Sequence, residues 1–211
     1  MSTSTEQLVQ RLGDARQRDA ARKELVKLGA EAVPVLLRAA DLPQNVPHRQ
    51  TILRTLLAIE DRRAEDLFRR AVASSDPEIR AIGAQGLQRL KAPDALNALQ
   101  AAINDTPDPL HFVQTPAVQS LIDLGMATLP TVFVLMESAD ESTRQRAQHV
   151  LATVVLRDIT QRLQPRPLTS DAHTAWETLR QANGLYQWDG PEAARMASVA
   201  RWKQWFSKTQ R

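Results

Sequence analysis

A motif of apolar residues, glycine and proline returns along this chain, and it restricts the fold to one built from repeats. Leu25-x-x-Leu28-Gly29-x-x-x-Val33-Pro34-x-Leu36-Leu37 superimposes on Leu121-x-x-Leu124-Gly125-x-x-x-Leu129-Pro130-x-Val132-Phe133 at an offset of 96 residues, three periods of 32. Two copies lie between them: Leu56-x-x-Ile59 with Ala64, Leu67 and Phe68, and Leu87-x-x-Leu90 with Ala95, Leu96 and Leu99. These have lost the Gly and Pro but kept the apolar spacing.

A second ladder marks the unit boundaries. Asp14, Asn45, Asp76, Asp108, Asp140 and Asp171 follow at steps of 31, 31, 32, 32 and 31 residues. All are helix N-cap types. Arg18, Arg49, Arg80 and Arg144 stand four residues after the first, second, third and fifth of them, whereas Phe112 and Ala175 hold that place in the fourth and sixth units. A capping carboxylate with a guanidinium one turn later can satisfy orphan helix amides and tie one unit to the next.

Within a unit the spacing predicts two helices. In the third, Asp76 caps, Pro77 takes the first helical position, and Ile79, Ile82, Gly83, Gly86, Leu87 and Leu90 recur at three and four residues; Pro93 then starts a second helix with an Ala95, Leu96, Leu99 and Ile103 stripe. Neither face is long enough to fold alone, so the units must stack. The expected fold is all-α: an α-solenoid of about five to six helical hairpins over residues 1–170, closed by a C-terminal helical cap over 171–211.

The Asp76-Pro77-Glu78-Ile79-Arg80 stretch, with Leu-Gly-x-x-x-Val/Leu-Pro at 28–34 and 124–130, resembles HEAT repeats, in particular the short bacterial type also seen in phycobilisome-lyase-like proteins. The resemblance covers about residues 5–160. It implies helical hairpins used as a scaffold and leaves the activity open.

Departures from the repeat are where function is to be sought. The fourth unit carries Pro107, Pro109 and Pro116 within ten residues, so its first helix is expected to restart at Thr115 and Pro116 after a loop that could serve as a binding element. Gln164-Pro165-Arg166-Pro167 ends the repeat pattern. Beyond it lie all four Trp (176, 188, 202 and 205), the single Tyr186 and Phe206, with only three aromatics in the preceding 175 residues. Helices are expected at 171–183 and 191–207. The aromatics read first as a cap over the end of the stack; Trp188, Trp202 and Trp205 are alternatively an aromatic surface for a ligand, or part of a basic amphipathic helix against a membrane or partner.

Charge is blocked along the chain. Met1–Lys91 has 16 basic and 12 acidic residues, Ala92–Thr143 has 7 acidic and no Lys or Arg, and Arg144–Arg211 has 11 basic and 5 acidic, for a total of +3. A basic, acidic, basic succession disfavours tracking along nucleic acid, which needs an unbroken positive stripe. The second helices of such repeats usually line a concave side, which nominates Arg38, Arg69, Arg70, Asn97, Gln100 and Thr131, with Val134 near the end, as a partner-binding surface able to grip a carboxylate or phosphate.

Catalytic chemistry is not legible. The chain has no Cys, no phosphate-binding glycine loop and no nucleophile elbow, and none of His48, His111, His149 and His173 precedes a Glu as in the iron-binding hydroxylases built on similar repeats. No metal, cofactor or catalytic residue is therefore expected. The N-terminus lacks a secretory signal and there is no unbroken 18-residue apolar run, so a cytoplasmic location without a membrane span is expected. The preferred reading is a non-catalytic scaffold or adaptor that binds another protein, with an extended or acidic segment as the natural partner. The alternatives are a bilin lyase- or chaperone-like binder of a planar ligand, and a DNA-binding protein of the HEAT-like alkylpurine glycosylase type.

Overall fold

The computed structural model describes residues 4–163 and 169–209, and among these every regular element is helical. The chain divides into two compact units, Met1–Thr106 and Pro107–Arg211. The first contains α1 (Thr5–Arg11), α2 (Arg18–Leu28), α3 (Val33–Ala40), α4 (Arg49–Ile59), α5 (Glu65–Val72), α6 (Pro77–Arg89) and α7 (Ala95–Ala101). The second contains α8 (Pro116–Leu124), α9 (Leu129–Met136), α10 (Glu141–Arg162), α11 (Thr169–Ala182) and α12 (Glu192–Thr209). The boundary expected after residue 170 falls inside the second unit, and the Gln164–Pro167 breaker lies outside the described residues.

The apolar ladder is the core. Leu25, Leu56, Leu87 and Leu121 on the first helices are buried, as are Leu36, Phe68, Leu99 and Val132 on the second helices. The two most closely packed helix pairs, however, join the second helix of one repeat to the first helix of the next, α5 on α6 and α9 on α10, and α1 on α2 and α3 on α4 pack in the same sense. At the α5–α6 joint Gly83 and Gly86 leave no room for a side chain, because a Cβ on Gly83 would meet the Phe68 carbonyl and Val72 nitrogen at 2.8 Å and one on Gly86 would overlap the Phe68 ring.

Each of these joints is closed by a ladder arginine. Arg18 Nε donates to the Leu12 carbonyl at 3.1 Å and Arg49 Nε to Ala40 at 3.1 Å; Arg80 Nη1 donates to Ser74 and Ser75 at 3.0 and 2.9 Å, and Arg144 Nη1 to Ser138 and Ala139 at 3.0 and 2.7 Å. The Leu12 and Ala40 carbonyls stand at the ends of α1 and α3, where a helix leaves carbonyls without intrahelical partners, and those of Ser74, Ser75, Ser138 and Ala139 follow two and three residues after α5 and α9, on the negative side of the helix dipole. The acidic half of the ladder is less uniform. Asp76 and Asp140 are N-caps, accepting from Ile79 and Thr143 nitrogens. Asp14 instead closes the turn before α2 through Arg16 N and Gln17 Nε2, Asn45 donates to the Ala39 carbonyl, and Asp171 lies inside the first turn of α11. These three are corrections to the expectation of uniform capping: the three-residue turn before α2 and the 3₁₀ segment Pro43–His48 before α4 put Gln17 and His48 at the caps, while α11 starts two residues early.

The fourth unit behaves as its prolines require. Thr115 Oγ1 accepts from Val118 N, and Pro116 opens α8. Asp108 organises the preceding loop, its Oδ1 accepting from the Leu110 and His111 nitrogens at 2.7 and 2.9 Å. The two compact units part at this loop, where the ladder has Phe112 in place of arginine.

Pro116–Met136 is long and apolar enough to cross a membrane by length and composition. Here it folds as α8 and α9 broken at Gly125, with half of the apolar window buried.

The recurring glycine has a backbone cause. Gly29 (φ 57°, ψ −127°) and Gly125 (φ 66°, ψ −145°) end α2 and α8 in a region that side chains disfavour, while Glu60 and Lys91 fill the equivalent place with φ of 57° and 55°. No atom lies within 4 Å of a Cβ built on Gly29 or Gly125. Gly29→Ala and Gly125→Ala are therefore expected to lower the unfolding free energy by about 1–3 kcal/mol through backbone strain alone. Glu60→Gly is expected to be neutral or to stabilise by up to ~1 kcal/mol, since it relieves a left-handed residue; urea unfolding of the three variants checks both signs.

Candidate functional site

The second helix α5 brings two of the nominated cations, Arg69 and Arg70, beside carboxylates. Asp66 and Glu65 open α5 and Arg69 and Arg70 close it, an order that suits the helix dipole. Arg69 lies 2.8 Å from Asp94, 2.9 Å from Glu65 and 3.0 Å from Asp66, and Arg70 lies 3.1 Å from Asp41. Four carboxylates thus surround two guanidinium groups. Exposed pairs of this kind stabilise weakly, but they leave the cluster net negative and unsuited to an incoming acid. The expected grip at Arg69 and Arg70 is corrected accordingly: their partners are already in place, Glu65 and Asp66 from the same helix, Asp41 from the preceding repeat and Asp94 from the following one. Asn97 is exposed and Gln100 half-buried on α7, while Thr131 is half-buried and Val134 exposed on α9 of the second unit.

The same pairs account for the blocked charge. Asp94 and Asp105 of the acidic stretch meet Arg69 and Arg80 of the N-terminal block, with Arg80 Nη2 at 2.6 Å and Nε at 3.0 Å from the Asp105 carboxylate. Glu137 meets Lys203 of the C-terminal block at 2.5 Å. Asp94, Asp105 and Glu137 of the acidic stretch are thus each paired with a cation of a flanking basic block inside their own unit.

Arg38 differs from its neighbours. It is exposed in the last turn of α3 and has no ion-pair partner among the described residues. It stands on a cleft of about 310 Å³ between α1 and α3, walled by Val9, Val35, Ala39 and Leu42 and edged by Glu6, Gln10, Gln44 and Asn45. Leu42 is 42% exposed. The Asn45 side chain, donating to Ala39 at 2.9 Å, holds the far edge. Of the nominated residues only Arg38 belongs to this cleft. The other wall comes from α1, which precedes the first full copy of the repeat and so has no counterpart to align.

The C-terminal aromatics are packed rather than displayed. Trp202 is fully buried, stacked on Trp176 at 6.0 Å and edge-on to Trp205 at 5.3 Å, and Phe206 meets Phe133 of α9 at 6.0 Å. Trp202 is thereby corrected from surface to core: large rings are the cheapest way to cover α9 and α10. Trp205 and Trp188 are half-buried, and the Trp188 backbone bonds to Gln148 and Arg144. The Tyr186 hydroxyl donates to the Met136 carbonyl at 2.7 Å, and burial pushes its pKa up to about 12. A second cleft, about 400 Å³ beside Trp176, is lined by Leu156, Arg157 and Gln161 of α10. Arg157 is partly committed there, donating to the Ile122 carbonyl at 3.1 Å. Among the described residues no group of three or more His, Asp or Glu side chains could hold a metal ion.

Two carboxylates predict an acid response. The Arg63 side chain, bonded to Asp61, lowers that carboxyl from 3.8 to about 2, and the Arg69 side chain lowers Asp94 from its ordinary value. Groups depressed in the folded state stabilise above their unfolded pKa and lose that contribution as pH falls through the folded one. Thermal stability should therefore drop from about pH 4 toward pH 2, and Asp61→Asn with Asp94→Asn should start lower and show a shallower drop in a melting series.

Residues 43–122 match the family model of HEAT repeats. No curated protein matches the chain.

Proposed function

From the HEAT repeats that this chain carries, we propose that it is a non-catalytic scaffold or adaptor that binds another protein, with the α1–α3 cleft as its contact point. HEAT repeats are helical repeats that often mediate protein interaction, and stacked helical repeats offer extended surfaces for a partner. The observation that carries the reading is Arg38, an exposed guanidinium without an ion pair among the described residues, set at the rim of an apolar cleft. Val9, Val35 and Leu42 supply the desolvated floor that an anchoring side chain needs, and Arg38 supplies a directional contact for a carboxylate beside it. The partner segment is therefore one that pairs a large apolar residue with an Asp or Glu.

Selection from a displayed random-peptide library tests this. Enriched peptides should combine an aromatic or aliphatic anchor with a nearby acid. Arg38→Glu should weaken their binding at least tenfold, about 1.4 kcal/mol, with an unchanged melting temperature. Equal affinity for wild type and Arg38→Glu would remove the cleft from the account.

A further inference from the structure

The second unit contains an element with the chemistry that this cleft asks for. In the loop before α8, Leu110 is 87% exposed and Phe112 57% exposed, the two largest exposures among the large hydrophobic side chains of the described residues. Asp108 stands two residues before Leu110 with its side chain 49% exposed. Such side chains on a loose loop would mean little, but this loop is built. Asp108 N donates to the Gln114 carbonyl at 2.9 Å and Gln114 N to the His111 carbonyl at 2.6 Å. Arg146 Nη2, from beneath, donates to the Phe112 carbonyl at 2.8 Å, and Gln114 Nε2 bonds His149 Nε2 at 2.8 Å. Three prolines, at 107, 109 and 116, further limit the free loop. The backbone is thus fixed while two apolar side chains and a carboxylate face solvent, the arrangement of a preorganised anchor.

We infer that the occupant of the α1–α3 cleft is the 107–115 loop of a second copy of this chain, an inference that rests on the cleft reading above. A cavity of ~150 Å³ accommodates a benzene ring, so about 310 Å³ has room for the Leu110 and Phe112 side chains. The charges correspond as well: Asp108, whose Oδ1 accepts from the Leu110 and His111 nitrogens and lies 3.5 Å from His111 Nδ1, would turn its other carboxylate oxygen to Arg38 on the cleft rim. More broadly, the cleft belongs to the Met1–Lys91 block with its excess of Lys and Arg, and the loop to the Ala92–Thr143 stretch that has none. Cleft and loop are different surfaces, so the contact is heterologous, and a dimer keeps one free cleft and one free loop.

Sedimentation equilibrium of the full chain from micromolar to millimolar concentration tests this. The wild-type weight-average mass should rise with concentration to at least twice the monomer value and fall back in high salt. Arg38→Glu alone, and Leu110→Ser with Phe112→Ser alone, should each stay monomeric over the same range. An equimolar mixture of these two variants should recover a dimer, because one keeps the loop and the other the cleft. Circular dichroism melting establishes that each variant is folded. A wild type that stays monomeric to millimolar overturns the second-copy inference while library peptides still bound at Arg38 would leave the cleft reading standing. Association that persists undiminished in either variant, or a mixture that fails to pair, overturns the inference as well.

Discussion

The structure depends on how the open end of one helix is closed by a side chain of the next. A helix leaves its last carbonyls without intrahelical partners, and burying them against a neighbour without compensation would cost ~1–3 kcal/mol each. In this chain the second helices are short, eight residues in α3, α5 and α9, so their ends are a large share of what must be buried. Arg18, Arg49, Arg80 and Arg144 close these ends by reaching from the first helix of one repeat to carbonyls at the end of the previous helix, for Arg18 and Arg49, or in the two or three residues that follow it, for Arg80 and Arg144. Arg80 goes further and ties Asp105, which follows α7, to the same guanidinium. In Arg144 the Trp188 carbonyl takes the place of that carboxylate, so the C-terminal segment docks on the same group that closes the α9–α10 joint. Where the ladder has Phe112 instead, the chain parts into two compact units.

This arrangement explains why so much of the fold was legible in the residues. Leu25, Leu56, Leu87 and Leu121 recur because each occupies the same buried place, and period is a strong signal when every repeat solves the same packing problem. Gly29 and Gly125 recur because the chain leaves the first helix through positive φ there. The partner of each ladder residue was less legible. Asp14 and Asn45 stand at capping spacing yet serve a turn and a preceding helix end, because spacing reports where a residue lies and not which of several nearby orphan groups it reaches.

The candidate site shows the same division. Arg38, Arg69 and Arg70 look alike as repeat positions, and locally only Glu65 and Asp66, four and three residues before Arg69, set one of them apart. Their difference arises from Asp41, Glu65, Asp66 and Asp94, which the fold brings to the latter two and not to Arg38. The cleft wall on α1 was invisible to repeat alignment, since α1 is half a repeat. In the C-terminal region the concentration of aromatics was plain, but whether Trp202 faced solvent or core turned on the stacking of α12 over α9 and Trp176. The prolines of the 107–115 loop were visible too; the exposure of Leu110 and Phe112 and the long-range Arg146 and His149 contacts that fix the loop were not.

The central claim is that guanidinium-closed joints hold the repeats together, and Arg144 is where it is most exposed to test, since this buried side chain serves three carbonyls. Equilibrium urea unfolding of Arg144→Met, which keeps much of the aliphatic packing and removes the donors, measures it directly. The account predicts a loss of about 2–3 kcal/mol, the scale of charged hydrogen bonds to carbonyls left otherwise unpaired. A stability within about 0.5 kcal/mol of wild type, the range of an ordinary surface change, would contradict it.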